Sequence, residues 1–190
     1  MNSYHGVIMF GASGSGTTTL GRELARLLEF EHHDIDDYVW EKTEPPYIKI
    51  RSNDERVALL RSLIKGEFVL SGCLREWGGI IDPMLSMAVF IQTPTEVRLA
   101  RLKKRELNRY GNRILPGGDL YESHKEFLAY SATYDTGGME TRSAASQEAW
   151  AKTLACPVIR VSGMDDFRET ALALKRRYEF CHFGRSRLHM

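Results

Sequence analysis

Residues 6–30, GVIMFGASGSGTTTLGRELARLLEF, constrain the fold more than any other stretch of the chain. An apolar run is stopped by glycine, and after a glycine-rich segment Leu20, Leu24, Leu27 and Leu28 recur at helical spacing. Strand, glycine-rich turn and helix is the setting in which a phosphate-binding loop works. Gly11 and Gly16 keep the spacing of the G-x-x-x-x-G-K-[ST] pattern and Thr18 fills its hydroxyl position, but Thr17 stands where the lysine belongs.

Backbone N–H groups of residues 13–18 are therefore expected to meet phosphate oxygens, aided by the positive end of the helix that starts near Thr17. Gly11, Gly14 and Gly16 let the backbone approach closely, and Ser13, Ser15, Thr17 and Thr19 complete the expected ATP-binding stretch. Thr18 is expected to ligate Mg2+ through its hydroxyl. The missing lysine carries a cost. Truncating one partner of a desolvated charge pair loses about 2–5 kcal/mol, or ~1.5 to 3.5 orders of magnitude in binding or rate. Another cation is thus expected to stand in, or catalysis is lost; arginine suits the task because its fork binds phosphate oxygens in pairs.

Bulk properties exclude several classes. With 190 residues and a formal net charge of +1, the chain has the length for one buried core and no general field for nucleic acid. Three cysteines, Cys73, Cys156 and Cys181, are far apart and form no CxxC, which argues against a disulfide framework or a zinc site. Apolar stretches such as MAVFI are of strand length, too short to span a bilayer. No charged-then-apolar leader precedes Gly6, so a cytoplasmic protein is expected.

The rest of the chain alternates strands and helices. EFEHHD (29–34) is a polar second strand and YVWEKT (38–43) a short helix before Pro45-Pro46. NDERVALLRSLIKG (53–66) reads as a helix; EFVLSG (67–72) and MAVFIQ (87–92) read as buried strands. TPTEVRLARLKKRELNRYG opens with a capping pattern and runs as a long basic helix to Gly111. Residues 111–138 break this rhythm, with glycine pairs flanking a helix at Leu120 to Tyr134, as in a hinged flap or between two surface turns. A helix at 140–153, a strand in PVIRVSG (157–163) and the amphipathic helix of DDFRETALALKRRY follow; the tail EFCHFGRSRLHM lacks periodicity. Alternation of this kind implies a parallel sheet sandwiched by helices, in one domain over residues 1–190.

Chemistry-bearing side chains gather near the expected strand ends. Asp34, Asp36 and Asp37 follow the second strand, where carboxylates of an open parallel sheet face the ligand crevice. Asp34 and Asp36 are expected to orient an acceptor, act as base or hold magnesium-bound water, and Thr18 with Asp36 forms the expected metal pair. A helix cap accounts for only one of the three acids. SGCLREWGG leaves the third strand, with Gly72 allowing close approach, Arg75 available for an acceptor's anionic group and Trp77 as a stacking surface. Arg98, Arg101, Arg105 and Arg109 are spaced to share one helix face, and Arg113 follows in the flap. His32-His33 lack metal-ligand spacing and read as structural, and Ser13 and Ser15 lack the partners of a nucleophilic triad.

Taken together, GASGSGTTTLG, HDIDDYVW, VLSG and RLKKRE after TPTE resemble the P-loop kinases of the nucleoside-monophosphate kinase and shikimate kinase group. More narrowly, GASGSGTTTLG with DxDDYxW, a PP segment and RYGNRILPGGD resembles small bacterial proteins described as AAA-family ATPases or as adenylate kinase-like. Cytidylate kinases of the archaeal type also carry Gly-Thr-Thr at the lysine position. The resemblance implies a P-loop three-layer α/β/α sandwich with a five-stranded parallel sheet, order 2-3-1-4-5, and a helical lid at 111–138. It implies Mg2+ with ATP as phosphoryl donor, a small-molecule acceptor, and no membrane or specific nucleic-acid partner. Arg101, Arg105 and Arg113 would close over the phosphates with Asp36 as the catalytic carboxylate, while Asp34, Asp36, Gly72 and Arg75 would face the acceptor. IRVSG resembles the loop that packs against adenine. A nucleotide kinase, a small-metabolite kinase and a nucleotide-binding switch or scaffold with little catalysis are the three functions open to such a chain.

Overall fold

The computed structural model describes residues 5–74 and 78–183. In chain order its elements are β1 (Gly6–Gly11), α1 (Thr17–Leu28), β2 (Glu31–Asp34), α2 (Asp36–Val39), α3 (Asn53–Leu63), β3 (Phe68–Ser71), α4 (Gly78–Ile81), β4 (Leu85–Gln92), α5 (Thr95–Tyr110), α6 (Tyr121–Ala132), α7 (Ala144–Ala151), β5 (Val158–Ser162) and α8 (Phe167–Phe183). The strands form one parallel sheet in the order β2-β3-β1-β4-β5, as expected.

Both faces of β1 are buried, which is why it reads as an unbroken apolar run instead of an alternation. Val7 and Met9 pack with Leu20, Leu24 and Ala25 of α1 and Ala171 and Leu174 of α8. On the other face, Ile8 and Phe10 pack with Leu60 of α3 and Ala151 of α7. Phe10 stacks on Phe90 at 4.7 Å between centroids and meets the edge of Trp150 at 5.0 Å. These are the three layers, with helices covering both faces of the sheet.

Three local expectations are corrected. The short helix after β2 begins at Asp36 and ends at Val39, earlier than YVWEKT, because Trp40 leaves it to bridge Ile50 in an extended pairing. α5 has Pro94 at its N-cap and no side-chain cap. The threonines of TPT are used elsewhere: Thr93 Oγ1 donates to the Ser15 carbonyl at 3.2 Å, and Thr95 Oγ1 donates to Asp135. Finally, α8 continues through EFCHF to Phe183, so only residues 184–190 of the unpatterned tail lie outside the described residues.

Segment 111–138 holds α6, joined to α5 through a single turn of 3-10 helix at Gly111–Ile114. Its far end is fastened by Arg98, whose side chain is completely buried. Arg98 Nε donates to Thr93 O at 3.1 Å and Nη1 to Ser131 O at 3.2 Å. Its Nη2 donates to Thr95 Oγ1 at 2.8 Å and pairs with Asp135 Oδ2 at 2.9 Å. A buried guanidinium needs such saturation, since an unpaired one would be costly. Arg98, grouped by spacing on one helix face with Arg101, Arg105 and Arg109, thus ties the start of α5 to the end of α6.

Candidate functional site

The glycine loop begins where β1 stops. Ser15 N–H donates to the Ala12 carbonyl at 3.1 Å, closing a turn, and α1 opens with left-handed Gly16 at its N-cap and no side-chain cap. The first N–H groups of a helix have no partners within it, so the uncapped start of α1 is a seat for an anion. Gly14, at φ 79°, lies against the start of α5, where a Cβ would sit 2.7 Å from the Arg98 carbonyl oxygen. Only glycine fits both that conformation and that contact. Ser15 is buried beneath the loop and its hydroxyl has no hydrogen-bond partner.

Sheet register brings the first carboxylate to the loop. Asp34 lies opposite Ser71 in the β2–β3 pairing and Ser71 opposite Met9 in β1–β3, so the end of β2 comes level with the start of the loop. Thr18 Oγ1 donates to Asp34 Oδ2 at 2.9 Å, while Asp34 Oδ1 accepts the Asp36 N–H at 3.2 Å. One carboxylate therefore both steadies the start of α2 and touches the loop hydroxyl; the residue against Thr18 is Asp34, not Asp36. Among the described residues no three His, Cys, Asp or Glu side chains gather to hold a metal. Thr18 and Asp34 present two oxygens, a set that fits Mg2+ shared with phosphate oxygens and water.

Asp36 is one step further out. Desolvation in the crevice, then the Asp34 charge, push its pKa above the ordinary carboxylate value, against the pull of Arg142 and Arg105. The residue itself remains exposed. Asp37 faces solvent, and its carbonyl accepts Arg51 Nη1 at 3.1 Å. Gly72, at φ 131°, lets the chain leave β3 beside Ile35, whose Cβ would be 2.8 Å from any added Cβ. Arg75 and Trp77 lie outside the described residues.

The expected arginines occupy different stations. Arg101 Nη2 donates to the Gly163 carbonyl at 2.9 Å, in the turn after β5 read as an adenine loop. Arg105 pairs with Glu106 at 2.9 Å, yet its charge acts on Asp36. Arg109 Nη1 donates to Tyr47 Oη at 2.8 Å. Arg113 pairs with Asp119 and with Glu44, each at 2.6 Å, linking the flap to the segment after α2.

The sequence reading missed Arg142. It precedes α7 and sends Nη2 to the Gly11 carbonyl at 3.0 Å, across 131 residues of chain. Its Nε–H is buried and has no hydrogen-bond partner among the described residues. The only local signal was the capping pattern that starts α7 at Ser143, which fixes where Arg142 leaves the helix but not what it faces. The histidines behave as expected of structural residues. His32 Nε2 shares a hydrogen bond with Ser71 Oγ at 2.9 Å, Ser71 Oγ reaches the Thr17 carbonyl at 3.1 Å, and Tyr38 Oη meets His33 Nδ1 at 2.6 Å.

A glycine loop at the end of the central strand of a 2-3-1-4-5 parallel sheet, with Thr18 and Asp34 at its exit, defines a P-loop domain of the kinase topology. The chain belongs to the AAA domain family, whose sequence profile matches residues 7–119. It is 41% identical over 155 residues to the uncharacterized protein YqaC of Bacillus subtilis (strain 168), a match covering 80% of this chain and 85% of that protein. A shikimate kinase from Bacteroides thetaiotaomicron shares the fold, with a TM-score of 0.53, 17% identity and coverage of 92% of this chain and 98% of that one. A gluconokinase from Sinorhizobium meliloti 1021 aligns at a TM-score of 0.47 with 18% identity, over 97% and 99% of the two chains. The family and fold read from GASGSGTTTLG and HDIDD are thereby borne out. No helix among the described residues is long and apolar enough to cross a membrane.

Proposed function

We propose that this chain transfers the terminal phosphoryl group of Mg-ATP to a small acceptor, a nucleotide or a hydroxylated metabolite, held on the Asp36 side of the crevice. The observation that carries the reading is the Thr18–Asp34 contact at the exit of an uncapped glycine loop, with Asp36 beside it. Loop N–H groups hold the phosphates. Thr18 and Asp34 hold the magnesium ion and its water, and the bound ion offsets charge on the phosphate oxygens. With a hydroxylated metabolite, Asp36, with its raised proton affinity, accepts the hydroxyl proton as that oxygen bonds to phosphorus and the bond to the ADP oxygen breaks; a monophosphate attacks through an oxygen already ionised and needs no base. Arg101 and Arg105 flank the nucleotide from α5, and segment 111–138 with Arg113 acts as lid. Catalysis on this reading is positioning and charge stabilisation.

The test is acceptor-dependent ADP release from Mg-ATP across two panels, nucleoside monophosphates and hydroxylated metabolites. Turnover with one panel supports the reading, as does its loss in Asp36→Ala where the acceptor is a hydroxylated metabolite. ATP binding without ADP release from either panel would overturn it in favour of a nucleotide-binding switch.

A further inference from the structure

Thr17 leaves the loop without a cation of its own, and the structure places another at its mouth. Gly11 is the first glycine of the loop, and its carbonyl is held by Arg142 Nη2 at 3.0 Å, with Gln147 Nε2 at 3.4 Å alongside. A guanidinium has five N–H donors in a fixed fork, so one bond to the loop fixes the plane of the rest. The Nε–H is buried with no acceptor among the described residues, and a phosphate oxygen is an acceptor that would satisfy it. The charges of Arg142 and Arg105 both act on Asp36, which puts Arg142 on the Asp36 side of the loop.

Its rivals are already committed. Arg105 is neutralised by Glu106, Arg113 by Glu44 and Asp119, and Arg98 is sealed with Asp135. Among the described residues Arg101 forms no salt bridge to a carboxylate, but its guanidinium donates to the Gly163 carbonyl, in the turn after β5.

We infer that Arg142 supplies the positive charge that the loop lost at Thr17, bridging the Gly11 carbonyl and the terminal phosphate of the bound nucleoside triphosphate. This rests on the phosphotransferase reading above. It predicts that the chain tolerates Thr17 because the cation is delivered from α7, so the lysine position and Arg142 are interchangeable carriers of one charge.

The experiment is calorimetric titration of wild type, Arg142→Ala, Thr17→Lys and the double variant with Mg-ATP and Mg-ADP. Arg142→Ala should weaken Mg-ATP binding about 30- to 3000-fold, the range given above for a lost phosphate-directed charge. Mg-ADP binding should change less, because the terminal phosphate is missing. Adding Thr17→Lys to Arg142→Ala should restore most of the ATP affinity. A residue that merely props the Gly11 carbonyl would lose ATP and ADP alike and gain nothing from a lysine at position 17, which would overturn the inference. Unchanged ATP affinity in Arg142→Ala would overturn it as well, leaving the phosphotransferase reading in place. Absence of Mg-ATP binding in wild type would remove both together. Arg142→Lys, which keeps the charge, guards against a folding artefact by binding more tightly than Arg142→Ala.

Discussion

The phosphate loop and the arginine side of the crevice are built in opposite ways. The loop is contiguous, made of backbone, and fixed from below by β1, Thr93 and the start of α5. The arginine side is assembled from side chains on α5, the flap and the residue before α7, and three of its arginines, Arg98, Arg105 and Arg113, pair with nearby carboxylates. Backbone N–H groups cannot be exchanged for one another by mutation, whereas a charge can be delivered by any residue that reaches. A loop can therefore lose its lysine while keeping its shape, and the compensation must be sought among distant side chains.

The sharpest way to break this comparison is at Gly14. A Cβ there meets the Arg98 carbonyl at 2.7 Å in a left-handed conformation, so Gly14→Val should abolish Mg-ATP binding and lower Tm. Retained binding in a titration would show that the loop is not held as rigidly as its contacts imply.

Next in size is Asp135→Ala. It strands the fully buried Arg98 guanidinium and should cost about 3 kcal/mol in urea unfolding, near the lower end for a broken buried pair because Asp135 is itself half exposed. A loss no larger than that of a surface carboxylate would mean the four contacts of Arg98 are slack.

A smaller effect separates the two carboxylates. The raised pKa of Asp36 means that the fold retains a proton that the unfolded chain has lost near pH 4. Stability therefore falls as pH rises through the window between the unfolded and native values, and the deficit persists above it. Asp36→Asn should raise Tm at pH 7 relative to wild type, with the gap closing toward about pH 3, while removing turnover with a hydroxylated acceptor. An Asp36→Asn protein less stable than wild type at neutral pH would contradict the crevice electrostatics.

Arg113→Ala should do least to the fold, since its pairs with Glu44 and Asp119 are solvent-exposed and such pairs contribute little. Tm should stay within error, and salt should erase what difference there is. A clear drop in Tm would show that the flap and the segment after α2 hold each other shut.

How much of this was legible in the sequence follows the same division. The loop could be read because its function resides in local spacing: Gly11, Gly16 and Thr18 act through residues next to them. The parallel sheet was accessible because β1 is apolar throughout and β4 is so apart from Ser86 and Gln92 near its ends, as strands buried on both faces are, whereas the strand order came only with the family resemblance. Asp34 could be placed in the crevice but not distinguished from Asp36, since which carboxylate meets Thr18 depends on the β2–β3 register. The role of Arg98 was not legible because helical spacing says which residues share a face, not whether that face meets solvent or Asp135. Arg142 was invisible for a plainer reason. A single arginine before a capping serine carries no pattern, and its partner lies 131 residues away.

The central claim is that Thr18 and Asp34 make this loop a magnesium-dependent nucleotide site. Calorimetric titration of wild type and Thr18→Ala with ATP, with and without magnesium, tests it most directly. The account predicts that magnesium tightens ATP binding in wild type and that Thr18→Ala removes most of that gain while leaving the magnesium-free affinity nearly unchanged. Identical titrations with and without the metal, or a Thr18→Ala protein that keeps the full magnesium gain, would contradict it.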